Sequence, residues 1–265
     1  MKKYYRDCRF GQLHWHSRPA QTTASEYPAL LCLHPAPYSG AYFETVAERL
    51  GPATHVVAPD YPGYGESSPP PELPGIADYA DAIADAWDVD AGPYNLLGFH
   101  TGALVAVELA LKHADRVQQI ILIDVPFFDR ATQEKLYPKA AQPTAFSADI
   151  NSLKPRWEFN LGGNRLESMS LRRALALFTQ ELLSADRSHW AFHAAFTYDC
   201  ESRFAALNKP CEIIATQSGL LEATRNAAQA LPNATLSERL DVKRAVFEEG
   251  AAVVAEELER LGASR

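Results

Sequence analysis

Hydrophobic and polar positions change period several times along the chain, and each change marks an element. Near the start, YYRDCRF and QLHWHSR set strong β-formers beside polar neighbours on either side of Gly11, which predicts a hairpin. Within it His14 and His16 alternate with Trp15 and read as exposed residues on either side of a strand. ALLCLHP is a short apolar run ending at His34-Pro35 and predicts an interior strand. In SGAYFETVAERL, Phe43, Val46, Ala47 and Leu50 recur at helical spacing, with Ser39 or a neighbour as cap and Gly51 as stop. THVVAPD predicts a strand and YPGYGESSPPPELPG a Gly- and Pro-dense loop. ADYADAIADAWDV follows as an acidic amphipathic helix, then YNLLGF as a strand, ALVAVELALKH as a helix and VQQIILIDVP as the most apolar strand.

Strands alternating with helices in this way predict a mostly parallel sheet with helices on both faces. The rhythm breaks after Pro126. Residues 127–206 contain no convincing interior strand, yet they hold eight of the twelve phenylalanines and two of the four tryptophans. LRRALALFTQELL predicts one helix there and SHWAFHAAFTY a second. The βα rhythm resumes with CEIIATQ, EATRNAAQAL, NATLSERL and EEGAAVVAEELERL. The expected organisation is a core of residues 1–126 and 207–265 interrupted by a helical insert, 127–206. That insert should cover the carboxyl ends of the strands, where open α/β sheets bind ligands.

Composition narrows the function. A 265-residue chain at 47% hydrophobic and 22% charged can bury a real core. A formal charge of −8 argues against a broad basic face for nucleic acid. No stretch approaches 18 apolar residues, so no membrane span is expected. The start lacks the apolar segment of a secretion signal. Cys8, Cys32, Cys200 and Cys211 are scattered without metal spacing, which suits a reduced, cytoplasmic setting. No Rossmann or Walker glycine pattern occupies a βα junction, so no cofactor is expected. His189 and His193 stand four apart without the glutamate of the H-E-x-x-H pattern, so no metal is expected either.

One junction carries chemistry. In NLLGFHTGALVAVELA, Gly98-Phe99-His100-Thr101-Gly102 lies between a strand and a helix. It has the layout of the G-x-S-x-G nucleophile elbow with histidine at the centre. The flanking glycines suit a turn too tight for a side chain, which thrusts the central residue out beside the helix's first amides. With LLCLHPAP and VVAPDYPGYGESSPP ahead of it, this strongly resembles the α/β-hydrolase family, in the branch with a helical cap after the sixth strand. The resemblance covers about residue 10 to residue 262. It implies oxyanion amides from Ala36 and Thr101 and supporting roles for His34 and Asp60.

The chain departs from that family at all three catalytic places. His100 replaces the nucleophile. TQSGLLEATR lacks the usual aspartate and leaves Glu222 as the nearest carboxylate. LDVKRAVFEE has Lys243 and Arg244 where Gly-His is usual, and no histidine follows His193. Imidazole titrates near neutrality, so His100 could serve as general base or as nucleophile. Asp124 ends the sixth strand on the same edge and could hold the ring; it could equally cap the turn before Pro126. Phe99, Trp157, Trp190 and His193 are candidates for lining an apolar pocket. The expected function is hydrolysis of a small, largely apolar carbonyl compound. A non-catalytic ligand- or protein-binding member and a cofactor-free lyase remain alternatives.

Overall fold

Side chains of the central strands alternate between two hydrophobic layers, one on each face of a single sheet. Leu31, Leu33, Leu96 and Leu122 enter one layer; Leu30, Cys32, Leu97 and Ile121 enter the other. Period-two alternation with both sets apolar is what a sheet covered on both faces requires. The structure is a computed structural model describing residues 1–21, 28–86, 93–143, 147–162, 165–243 and 245–263. The end of the predicted acidic helix, beyond Ala86, and Arg244 lie outside the described residues.

The strands are β1 (Lys2–Cys8), β2 (Gly11–Arg18), β3 (Ala29–Leu33), β4 (Val56–Pro59), β5 (Tyr94–Phe99), β6 (Val117–Ile123), β7 (Cys211–Thr216) and β8 (Ala234–Arg239). Their order is β1-β2-β4-β3-β5-β6-β7-β8. β1 and β2 form the predicted hairpin, β2 joins β4 antiparallel, and every later pairing is parallel. The helices are α1 (Glu44–Arg49), α2 (Ile76–Asp85), α3 (Thr101–Lys112), α4 (Arg130–Ala140), α5 (Lys154–Leu161), α6 (Arg165–Ser168), α7 (Leu171–Leu183), α8 (Trp190–Thr197), α9 (Cys200–Ala206), α10 (Leu221–Ala230) and α11 (Ala251–Ala263). α2, α3 and α10 contribute to one layer, and α1 and α11 to the other.

Six helices, α4 to α9, occupy residues 127–206, and among the described residues no strand interrupts them. Leu161, Ala174 and Phe178 give this segment a small core of its own. Its last helix is part of the sheet's cover: α9 packs against α3 and α10 and buries Phe204 completely. Tyr198 Oη and the Arg203 guanidinium both donate to the buried Glu108 carboxylate of α3, at 3.0 and 2.9 Å. No helix among the described residues is long and apolar enough to cross a membrane.

The hairpin overturns one expectation. His14 and His16 are buried, at 0% and 8% exposure. Polar loops following β4 cover that face. His14 Nδ1 lies 2.8 Å from Asp60 Oδ2, and His16 Nε2 lies 3.3 Å from Asp60 Oδ1.

Candidate active site

His100 occupies the turn between β5 and α3 with φ 50° and ψ −120°. A non-glycine residue with positive φ is strained and persists where the surroundings over-determine it. Here the turn is held from both sides: His100 N–H donates to Ile123 O at 3.1 Å, and Ala103 N–H donates to His100 O at 2.9 Å. The flanking glycines are steric necessities. A Cβ at Gly102 would lie 1.9 Å from Leu33 O, and one at Gly98 would lie 2.5 Å from Gly102 O.

The His100 ring rests against Phe99, with centroids 4.1 Å apart, and makes no hydrogen bond among the described residues. Burial pushes its pKa down to about 4, against the opposing pull of the Asp124 charge. The N-terminus of α3 adds a positive end that also disfavours imidazolium. His100 is therefore a neutral imidazole at pH 7.

Asp124 also sits in a positive-φ turn, at φ 48°, fully buried at the end of β6. It is close enough to His100 to act on its titration, but its oxygens are engaged elsewhere. Oδ1 accepts from Thr216 N–H at 2.9 Å and Oδ2 from the Thr216 hydroxyl at 2.6 Å. The expected hydrogen-bonded His100–Asp124 pair is not formed. Glu222 does not replace it. Its side chain, 79% exposed, pairs with Arg225 on the surface of α10. The open cavity that Glu222 lines with Phe127 and Phe128, about 640 Å³, does not include His100. Lys243, at the late-histidine place, is exposed.

The segment after β3 is ordered by His34. Its Nε2 accepts from Tyr61 N–H at 3.0 Å, so Nδ1 carries the proton and donates to Pro35 O at 3.0 Å. Complete burial pushes its pKa down to about 4, which keeps it neutral. Among the described residues, the Ala36 and Thr101 amides donate to no protein acceptor. Asp60 ties the neighbouring loops by accepting from Gly40 N–H at 2.8 Å and Glu66 N–H at 2.9 Å, besides the two histidines. His14, His16 and Asp60 bring three metal-ligating atoms within 4.8 Å of one another. Four donors, however, already fill the lone-pair positions of this carboxylate, which makes the group a hydrogen-bond knot.

The candidates for lining the pocket scatter. Phe99 is a core residue, 4% exposed, stacked on Tyr42 with centroids 5.8 Å apart. Trp157 is 48% exposed and packs edge-on against Phe178. Trp190 lies over Gly63, and His193 Nδ1 pairs with Tyr137 Oη at 2.7 Å. Composition of an aromatic-rich helical stretch does not say which faces turn inward.

Sequence reasoning missed the clamp that α7 places on residues 37–42. Gln180 Oε1 accepts from Ser39 N–H at 3.1 Å and from its hydroxyl at 2.9 Å. Ser184 Oγ donates to Pro37 O at 3.0 Å. Arg173 donates to Ala41 O and Tyr42 O at 3.1 and 2.9 Å, and to Glu248 at 2.7 Å. It also missed Tyr42, whose phenol burial pushes up to about 12, with Asp124 among the nearby charges. Nothing in the local sequence marks these contacts, whose partners lie from 75 to 147 positions apart.

Residues 28–203 match the family model described as "Thioesterase domain". The chain is 27% identical over 236 residues to a pimeloyl-[acyl-carrier protein] methyl ester esterase of Chromobacterium violaceum, covering 85% of this chain and 90% of that protein. Among solved structures it resembles an esterase of Thermogutta terrifontis, with a TM-score of 0.75 at 18% identity over 100% of this chain and 99% of that one. An enol-lactonase of Burkholderia xenovorans gives 0.74 at 17% identity, over 97% and 98% of the two chains. The mostly parallel eight-stranded sheet and its helices thus form an α/β-hydrolase fold.

Proposed function

The chain belongs to the thioesterase-domain family, and from that premise we propose that it hydrolyses a small ester, with His100 as general base. One observation supports the proposal: a neutral imidazole stands at the elbow, and among the described residues the Ala36 and Thr101 amides donate to no protein acceptor. His100 takes a proton from water as the oxygen attacks the ester carbonyl. The amides of Ala36 and Thr101 receive the negative charge that develops on the carbonyl oxygen. The proton then passes to the departing alkoxide, and acid and alcohol leave. A base with a pKa near 4 is weak, so turnover is slow relative to a serine–histidine pair. The relative's methyl ester substrate supports an acyl chain carrying a small alcohol. Residues 127–206 serve as a helical cap over the carboxyl edge of the sheet. The unpaired cysteines support a cytoplasmic setting.

A second reading is ligand binding without turnover. It is favoured by the Asp124–Thr216 bonds, which leave the His100 ring without a hydrogen-bonded carboxylate among the described residues. Hydrolysis of a methyl-ester and thioester panel by wild type and His100→Gln separates the two. Catalysis requires turnover that falls at least about 100-fold in the variant; binding alone requires saturable ligand binding with no His100-dependent turnover.

A further inference from the structure

The opposite edge of the sheet carries a second built cavity. It is a partly open pocket of about 250 Å³ between the amino ends of β3, β5 and β6, the chain after α1, and α11. Leu30, Leu50, Ile121 and Leu258 give it apolar walls. Asn95 and Gln119 also line it. Among the described residues, Asn95 Oδ1 and Gln119 Nε2 are both buried without a hydrogen-bond partner, and Gln119 is only 3% exposed.

The pairing of the strands places these two side chains together. Asn95 is the register partner of Gln119, whereas Tyr94 pairs with Val117. One extra residue, Gln118, is accommodated between those pairs as a bulge, and it is exposed while Gln119 turns inward. Asn95 lies on the face of Leu97 and Phe99, and Gln119 on the face of Ile121 and Ile123, so the amides interrupt an apolar layer at its rim. Buried donors and acceptors without partners are uncommon because leaving them unmade is costly.

We infer that this cavity is a binding site for a small apolar molecule bearing a carboxamide or lactam group. A cis amide presents one carbonyl acceptor and one N–H donor along a single edge. That edge complements Gln119 Nε2 and Asn95 Oδ1. Reversing both side-chain amides would still leave one donor and one acceptor. A carboxylate offers two acceptors and no donor, and Glu259 at the rim, which accepts from Gly51 N–H at 2.8 Å, further opposes an anion. A ketone fills only half of the pair. The volume sets the size: roughly 150 Å³ takes a benzene ring, and drug-sized sites begin near about 300 Å³. The site therefore takes a single substituted ring. It does not rest on the ester-hydrolase reading, since His100 lies at the far ends of the same strands.

Titration of the full-length protein with δ-valerolactam, followed by side-chain amide resonances in nitrogen-15 spectra, tests the assignment. N-methyl-δ-valerolactam and cyclohexanone are the controls. The expected result is saturable shifting of the Asn95 and Gln119 amides, with both controls at least about tenfold weaker. Gln119→Glu, which keeps the shape but replaces the donor, should weaken lactam binding about tenfold or more. Gln119→Leu should abolish the preference for lactam over ketone and tests the same point if the first variant folds poorly. His100→Gln should bind the lactam as wild type does. Equal binding of the N-methyl control, or crystals soaked in lactam that show ordered water alone in the cavity, would overturn the assignment.

Discussion

Asp124 holds Thr216 through both carboxylate oxygens, at 2.9 Å from the amide and 2.6 Å from the hydroxyl, across the carboxyl ends of β6 and β7. The aspartate thus closes the sheet edge and acts on His100 through space. Asp124→Asn keeps an acceptor for the Thr216 amide but removes the charge. Since that charge raises the His100 pKa, the ring's titration midpoint should fall below about 4, as read from its proton resonances. Asp124→Ala strands two buried donors and should lower unfolding stability by about 1–3 kcal/mol in a denaturant titration. An unchanged His100 midpoint in the asparagine protein would show that the two groups do not interact.

Restoring serine at the elbow should not restore a serine hydrolase. No second imidazole follows His193, Lys243 is exposed at the late-histidine place, and Asp124 is engaged with Thr216. His100→Ser should therefore stay well below the ordinary range of about 1–10³ s⁻¹ on short p-nitrophenyl esters. Stopped-flow or plate assays at neutral pH read this directly. Fast turnover would reveal a base that reaches the serine.

Two neutral imidazoles, His34 fully buried and His100 partly buried, give stability a defined pH dependence. His34 and His100 both titrate near 4 when folded, against about 6.5 for the free side chain. Between those values the unfolded chain binds more protons, so the stabilisation is complete above pH 6.5 and is lost as pH falls toward 4. His34, with no exposed surface, contributes on the order of 2–3 kcal/mol to this loss. Urea midpoints measured from pH 7 to pH 4 should decline, and more shallowly in His100→Gln. A flat profile would contradict the lowered pKa values of the two rings.

The α7 clamp should matter more for stability than its surface position suggests. Arg173→Met takes the guanidinium from Ala41 O, Tyr42 O and one Glu248 oxygen, of which Ala41 O keeps the Glu44 N–H as a donor. Glu248 is only 11% exposed, so the loss should be about 2–4 kcal/mol. Gln180→Leu strips the acceptor from Ser39 alone and should cost about 1 kcal/mol. Chemical denaturation of both variants checks the order of the two effects.

The sheet and elbow were legible in the sequence because local period and local sterics specify them. Leu30 to Leu33 and Leu96 to Phe99 alternate between two layers wherever they sit, and Gly98 and Gly102 are demanded by contacts within a few residues of the turn or one strand away. The burial of His14 was not legible, because its partner Asp60 is 46 positions away and the loops around it are polar. The partner of Asp124 lies 92 positions on, and the serine that Gln180 holds lies 141 positions back. Long-range polar bonds of this kind leave no periodic trace. The aromatic insert failed for another reason: Trp157 and Phe159 are apolar yet exposed, so apolar composition there does not identify pocket walls.

The pH dependence of kcat/KM for a short-chain methyl ester is the most direct test of ester hydrolysis by His100 as a neutral base. Wild type should hydrolyse it slowly, with a plateau across neutral pH and an acid limb near the His100 pKa of about 4. His100→Gln should lose at least about 100-fold at every pH on the plateau. Equal rates in the two proteins, or an acid limb near 6.5 in wild type, would contradict it.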